Sequence, residues 1–408
     1  TLHASYNLPT LAEGYAFLHS YAGLDEAGRG AISEMLKQEA FRLARHGSEY
    51  NNQGAEHFRA YGTVGLATGY WPLAAKAVGE DYNWHDMAEF GFDEDGFNSE
   101  GGGYHRAIFH AMNAMALFAS QYGVELLTPR LKRVYDASLT IGQAGPAYEL
   151  AYRAYRDPAY LPALAGVRRG AFNEYTLHAG VPGLPDASRL PVHSEVLANS
   201  GYVFLRAGTA VDFREIRMNY IKQFERSEQD RLSTMFFRNQ RQTDTHVHRI
   251  AYSVPGSWWM THSAAQNTVV VDGGSQREVP SRLAAFNPSP DAPAAVVVTD
   301  ARMPLYEGVR QVRGIALVGD AAIVFDRIDA DAPRMIDRYQ YGPGRAPALL
   351  FDAKPVAALP ALPEPGQFKE IAGGPAGREA RIDFGDALRM RLVADCDLSL
   401  YRAVTFGG

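Results

Sequence analysis

Tyr104 and His105 stand side by side where an acidic, glycine-rich stretch, DGFNSEGGG at residues 95–103, runs into apolar residues at helical spacing. A phenol and an imidazole can each give or take a proton. Glycine tolerates positive φ and lets a ligand approach the backbone, and a helix N-terminus adds a positive partial charge. Together they suit a cleft that binds an acidic substrate and moves a proton. The same two residues also read as a buried pair anchoring a helix start, and the stretch alone leaves both readings open.

Other residues carry chemistry with a plainer reading beside it. Glu94, Asp95 and Glu100 are close enough to nominate the paired carboxylates of a glycosidase, although acids in such a loop commonly cap or face water. Asn51-Asn52 reads as a helix cap. Thr245-His246-Val247-His248 has the i, i+2 spacing that turns both imidazoles to one side of a strand, where they bind metal or hydrogen-bond. Trp71, Trp84, Trp258 and Trp259 are candidates for stacking on sugar rings or for the core.

The chain has 408 residues, enough for about two domains, with 46% hydrophobic and 21% charged residues. A formal net charge of -6 gives no footprint for nucleic acid. Cys396 is the single cysteine, which excludes an internal disulfide and a CxxC zinc site. No apolar run approaches the roughly 20 residues that span a bilayer. The chain starts at Thr1 with no signal-peptide pattern, so a mature or trimmed form with further N-terminal sequence is expected.

The elements that must position these residues fall into two halves. Up to about residue 170, apolar residues recur at helical spacing, as in Leu11-Tyr15-Leu18, Ile32-Leu36, Tyr61-Val64 and Ile108-Met112-Met115. Short loops between them imply antiparallel helix pairs in a bundle or toroid. From about Tyr202 short β-branched runs take over, at 201–206, 267–272, 295–299, 322–326 and 388–393, which suggests an antiparallel sandwich. The expected boundaries are 1–180 for the helical domain and 190–408 for the strands, with a linker in the Pro-, Gly- and Asp-rich stretch between. Residues 353–365 read as a long loop.

Several pieces match one family in order: Asn51-Asn52-Gln53, Glu100 through Tyr104-His105, Gly201 to Arg206, Asp230-Arg-Leu-Ser233, Ser257-Trp-Trp259, Ala265 to Gly273, and Gln276. The chain resembles the heparinase II/III-like polysaccharide lyases, which include alginate and glycosaminoglycan lyases. The resemblance implies an incomplete (α/α) toroid followed by an antiparallel β-sandwich, since the helical part is shorter than is usual in that family. It also implies β-elimination next to a uronic acid in an acidic polysaccharide, and a periplasmic or secreted location.

The resemblance assigns roles by position. Asn52 corresponds to the asparagine that neutralises the substrate carboxylate, and Tyr104 to the tyrosine that acts as base, acid or both. His105 is the neighbour that tunes the phenol or moves a proton itself. Tyr252 falls where some relatives carry a second proton-transfer tyrosine. Glu100, Trp258, Gln266 and Asn267 are implied to contact substrate.

The chain departs from the pattern at histidines. Relatives carry a His-Gly-His-x-Asp motif where this chain has Arg226-Ser-Glu-Gln-Asp230, a histidine where it has Gln266, and often one where it has Gln53. Their zinc set would become Glu228, Asp244 and Gln266, an all-oxygen set that suits a harder divalent cation or no ion. Zinc would need His246 or His248. Arg226 and Gln53 could share carboxylate neutralisation with Asn52. Two other readings follow: a uronyl C5-epimerase, which returns the proton to the opposite face, and a non-catalytic glycan-binding relative.

Overall fold

The computed structural model describes residues 2–45, 49–79, 83–142, 145–168, 173–181, 192–209, 212–221, 228–239, 241–244, 259–342, 348–349, 354–355, 368–383 and 389–405. The chain divides into two compact units, Thr1–Leu190 and Pro191–Gly408.

The first unit is helical: α1 (Leu2–Leu18), α2 (Glu26–Ala44), α3 (Asn52–Thr68), α4 (Trp71–Val78), α5 (Trp84–Phe90), α6 (Gly102–Ser120), α7 (Pro129–Thr140), α8 (Ala147–Tyr155), α9 (Leu161–Arg168) and α10 (Glu174–Ala179). Local chemistry sets the starts. Asp25, Asn51, Asn83, Thr128 and Asn173 each cap a helix through a side-chain oxygen. Gly69, at φ 68°, ends α3 in the left-handed conformation.

Helix α3 lies at the centre, buried along almost its whole length. Gly62 makes this possible, because a Cβ there would press on Met115 of α6 and Ala77 of α4. Trp84 is fully enclosed with its indole N–H donating to the Met112 carbonyl, so it is core.

The second unit is antiparallel throughout. One sheet runs β1 (Glu195–Leu197), β2 (Tyr202–Gly208), β3 (Phe213–Asn219), β4 (Thr234–Arg238) and β5 (Arg241–Gln242). After β6 (Val269–Val271), a second sheet has the order β10 (Ala321–Ala330), β9 (Val309–Val318), β8 (Ala294–Thr299) and β7 (Ser281–Asn287). Val203, Leu205, Ile216 and Met218 from the first sheet share one core with Ala295, Val297, Ile315 and Leu317 from the second, the packing of a sandwich. β6 pairs with β11 (Ile336–Arg338). A further sheet joins β12 (Ala348–Leu349), β13 (Lys354–Pro355), β14 (Phe368–Asp383) and β15 (Arg389–Thr405).

No helix among the described residues is long and apolar enough to cross a membrane. Most of 353–365 lies outside the described residues.

Candidate functional site

Two helix starts carry the helical candidates. At α3 the Asn51 side-chain oxygen accepts from the Gln53 and Gly54 N–H groups, each at 3.0 Å, so capping falls to Asn51. Asn52, the first helical residue, is left half-buried, and Gln53 is exposed. At α6 the chain turns through Gly101 at φ 96°, a conformation open to glycine, and Tyr104 follows as a half-buried residue of the first turn.

The two helices run in the same direction. Arg59 of α3 faces His110 of α6, and Gly62 faces Met115. Asn52 and Tyr104 each lie in the first turn of a helix, where the macrodipole presents its positive pole.

His105 departs from its expected role as a proton carrier. It is fully buried, stacked on Phe97 with ring centroids 4.8 Å apart. Its Nδ1 accepts from the Asn98 N–H at 3.3 Å and its Nε2 bonds to the Ser138 hydroxyl at 2.8 Å. Burial, with a smaller contribution from Arg106, pushes its pKa down to about 3 against the opposing pull of Asp93. The imidazole stays neutral and pins the loop before Tyr104.

The carboxylates proposed as a hydrolase pair have other work. Glu94 bonds to Arg130 and Arg133, which hold its carboxyl below the usual range. The Glu100 N–H closes a turn onto the Asn98 side chain, and its own side chain is half-buried.

In the strand unit the motif residues build a buried clasp. Gln266 and Asn267 are 1% and 0% exposed, so neither meets substrate in this conformation. The Gln266 amide donates to the Met260 carbonyl. Asn267 donates to the Thr234 carbonyl and to Asp244, and accepts from the Tyr341 N–H. Gln276 and Thr268 both donate to the Arg231 carbonyl. Arg313, fully enclosed on β9, grips Asp326 with two bonds of 2.7 Å and donates to the Leu232 carbonyl. Trp259 packs with Ala264, Ala265 and Val270, so it is core.

The residues of the expected metal set, Glu228, Asp244 and Gln266, are all buried. Asp244 accepts the Phe236 N–H at one oxygen and the Asn267 and Gln340 amides at the other. Burial pushes its carboxyl up to about 7, against the lowering effect of those bonds. Gln266 donates its amide N–H to the Met260 carbonyl, and Glu228 is fully buried. Among the described residues no group of three His, Cys, Asp or Glu side chains is arranged to hold a metal. Arg226, His246, His248, Tyr252 and Trp258 lie outside the described residues.

Sequence reasoning missed Ser138 and Asn98, which hold His105, and Arg313, which closes the clasp. A signal existed for the last: strict alternation along β9 turns residues 309, 311, 313, 315 and 317 inward together, so an arginine at 313 needs a buried partner. No comparable signal marks Glu13, Glu56, Arg59 and Tyr175, which the helices gather from three separate segments.

No protein-family profile and no curated protein sequence matches the chain. Solved structures do. The chain superposes on a heparinase III with a TM-score of 0.65 at 13% identity, covering 100% of this chain and 69% of that one. A second heparinase III gives 0.63 at 12% identity, over 98% of this chain and 66% of that one. The heparan sulfate lyase of Pedobacter heparinus gives 0.60 at 12% identity, over 100% and 66%. The chain thus spans about two thirds of the length of the solved structures it matches. Its fold is that of the heparinase III and heparan sulfate lyases, a helical toroid portion followed by a β-sandwich.

Proposed function

We propose that this chain cleaves a uronate-containing polysaccharide by β-elimination, with Asn52 and Tyr104 as the central pair. What supports the reading is that Asn52 and Tyr104 each lie in the first turn of a helix, α3 and α6, in a fold shared with lyases. The uronate carboxylate binds at Asn52 and the helix N-termini, which stabilise the negative charge that builds on it as the C5 proton leaves. Tyr104 as phenolate takes that proton. The electron pair left on C5 forms the C4=C5 double bond, the C4–O bond breaks, and the departing oxygen takes the proton back from the Tyr104 hydroxyl.

Gln53, exposed beside Asn52, and Arg226 are proposed to steady the carboxylate, with Tyr252 as a further proton-transfer candidate. The Asp244 region needs no ion in this reading. A polymer substrate of this kind places the enzyme in the periplasm or outside the cell.

The test is a screen of alginate, heparan, chondroitin, hyaluronan and glucuronan for the ultraviolet absorbance of an unsaturated product, with and without chelator. Absorbance with one polymer is expected, unchanged by chelator. Tyr104→Phe should lower kcat by about 10²-fold or more, and Asn52→Ala by a similar factor. Silence on every polymer sinks the reading. Deuterium entering C5 without cleavage would make the chain an epimerase, and polymer binding equal in wild type and Tyr104→Phe without turnover would make it a binding protein.

A further inference from the structure

Strand β10 ends the second sheet with an edge unlike the other sheet edges among the described residues. Strands β1, β5, β6, β11, β12 and β13 have two or three residues each. The pairing of β7 with β8 shifts register between Leu283 and Ala285, and that of β15 with β14 shifts repeatedly. Short strands and bulges are the ordinary protection of an edge against another chain. Strand β10 has neither, since it pairs with β9 from Ala321↔Val318 to Ala330↔Val309 without a shift. It holds no proline and no lysine, and Ile323 and Phe325 stand 48% and 57% exposed on it.

The direction of its backbone groups follows from β9. The Gln311 N–H donates to the Thr299 hydroxyl and the Leu317 N–H to the Pro293 carbonyl, both on the β8 side. Odd residues of β9 therefore bond toward β8 and even ones toward β10. The β10 partners of those even residues are the odd residues from 321 to 329. The N–H and C=O groups of Ala322, Val324, Asp326, Ile328 and Ala330 thus point out along the edge, which no described strand pairs.

We infer that this edge pairs with the same edge of a second copy of the chain, antiparallel about a two-fold axis at Asp326. That register alone matches all the outward residues: Ala322 with Ala330, Val324 with Ile328, and Asp326 with itself. The side chains suit it. Val324 and Ile328 already pack against the sandwich core and would extend it across the seam. On the outer face Phe325 lies opposite Arg327 of the second copy, twice over by symmetry, ring against guanidinium. Arg327 keeps its 3.1 Å bond to Asp329 through Nε while its flat face meets the ring. The two Asp326 carboxylates face each other, but each is neutralised by two 2.7 Å bonds from its own Arg313. A second copy fits better than a foreign strand because this edge carries both halves of the match. Its length makes a small interface, so a weak dimer is expected, with Kd on the order of 10 µM.

Sedimentation velocity of the full chain from about 1 to 200 µM brackets that constant and reads the outcome. A monomer–dimer equilibrium is expected. Val324→Pro removes an outward N–H and leaves the β9 ladder intact, so the dimer should weaken by about ten-fold or more. Phe325→Arg, at an exposed position, sets guanidinium against guanidinium and should weaken it likewise; it carries the test should the proline variant fail to fold. Adding Arg327→Glu to Phe325→Arg should restore the dimer, because the paired edges set those positions opposite one another. A chain that stays monomeric throughout overturns the pairing, as does a dimer indifferent to both single variants. A double variant that stays monomeric overturns the two-fold at Asp326. None of these residues takes part in elimination, so the result is independent of lyase activity.

Discussion

His105 and Tyr104 are one position apart and do different things, because successive helix residues point about 100° apart. Tyr104 faces outward at the first turn of α6. His105 joins the stripe of Ile108, Phe109 and Met112 that enters the core. That difference has a thermodynamic consequence. In the unfolded chain the imidazole titrates near 6.5, and in the fold its pKa is about 3. Between these values the unfolded state holds a proton that the folded state refuses. His105 therefore contributes full stability above pH 6.5 and loses it as the pH falls toward 3, by about 1.4 kcal/mol per unit. Urea melts from pH 4 to 7 should show a steeper loss for wild type than for His105→Gln. Parallel pH profiles would mean the imidazole is protonated inside the fold. The stripe was present in the sequence at positions 105, 108, 109 and 112, so the burial was legible there. The identity of Tyr104 as the outward partner follows from the same spacing.

Among the elements, the clasp explains why motif residues need not be site residues. Thr268 lies just before β6 and Arg313 in mid-β9, and both converge on the turn at 231–232, while Arg313 also reaches the Asn267 carbonyl. Leu232 holds φ 62° there, a conformation that costs energy for a branched residue and is maintained by bonds at both its N–H and its carbonyl. Truncating Arg313 to methionine leaves the largely buried Asp326 without its bidentate partner and frees the Leu232 carbonyl. The expected loss is about 3 kcal/mol in denaturant unfolding. Asn267→Ala should lose about 2–3 kcal/mol by stranding Asp244 and the Tyr341 N–H. If either variant unfolds within 0.5 kcal/mol of wild type, taking ~0.5 as the scatter of neutral surface changes, the clasp is not what fixes this turn. The order of helices and strands, and most of their cores, could be read from periodicity, since α1, α3, α6, β2, β8 and β10 all fall where the spacing put them. The clasp could not, because Asn267 is held by Arg313 and Tyr341, 46 and 74 positions further on. No local pattern carries such a contact.

For the whole molecule, a chain with formal net charge -6 is expected to act on a polyanion. Like charges slow the encounter, and salt decides over what range they act. At about 0.01 M ionic strength the screening length is about 30 Å, so the acidic surface as a whole repels the polymer. At about 0.1 M it shrinks to about 10 Å, and the approaching uronate meets mainly Asn52, Gln53 and the N-termini of α3 and α6. kcat/KM should therefore rise over that interval and fall only at higher salt, where the local attraction is screened too. An enzyme with a basic groove would lose activity from the lowest salt upward. Initial rates at fixed pH across 0.01 to 0.5 M sodium chloride, a range set by those two screening lengths, decide between them. A monotonic fall would mean that cationic residues outside Asn52 and the two helix starts dominate capture. Arg226, proposed to share in carboxylate neutralisation, would then be the first to replace with glutamine.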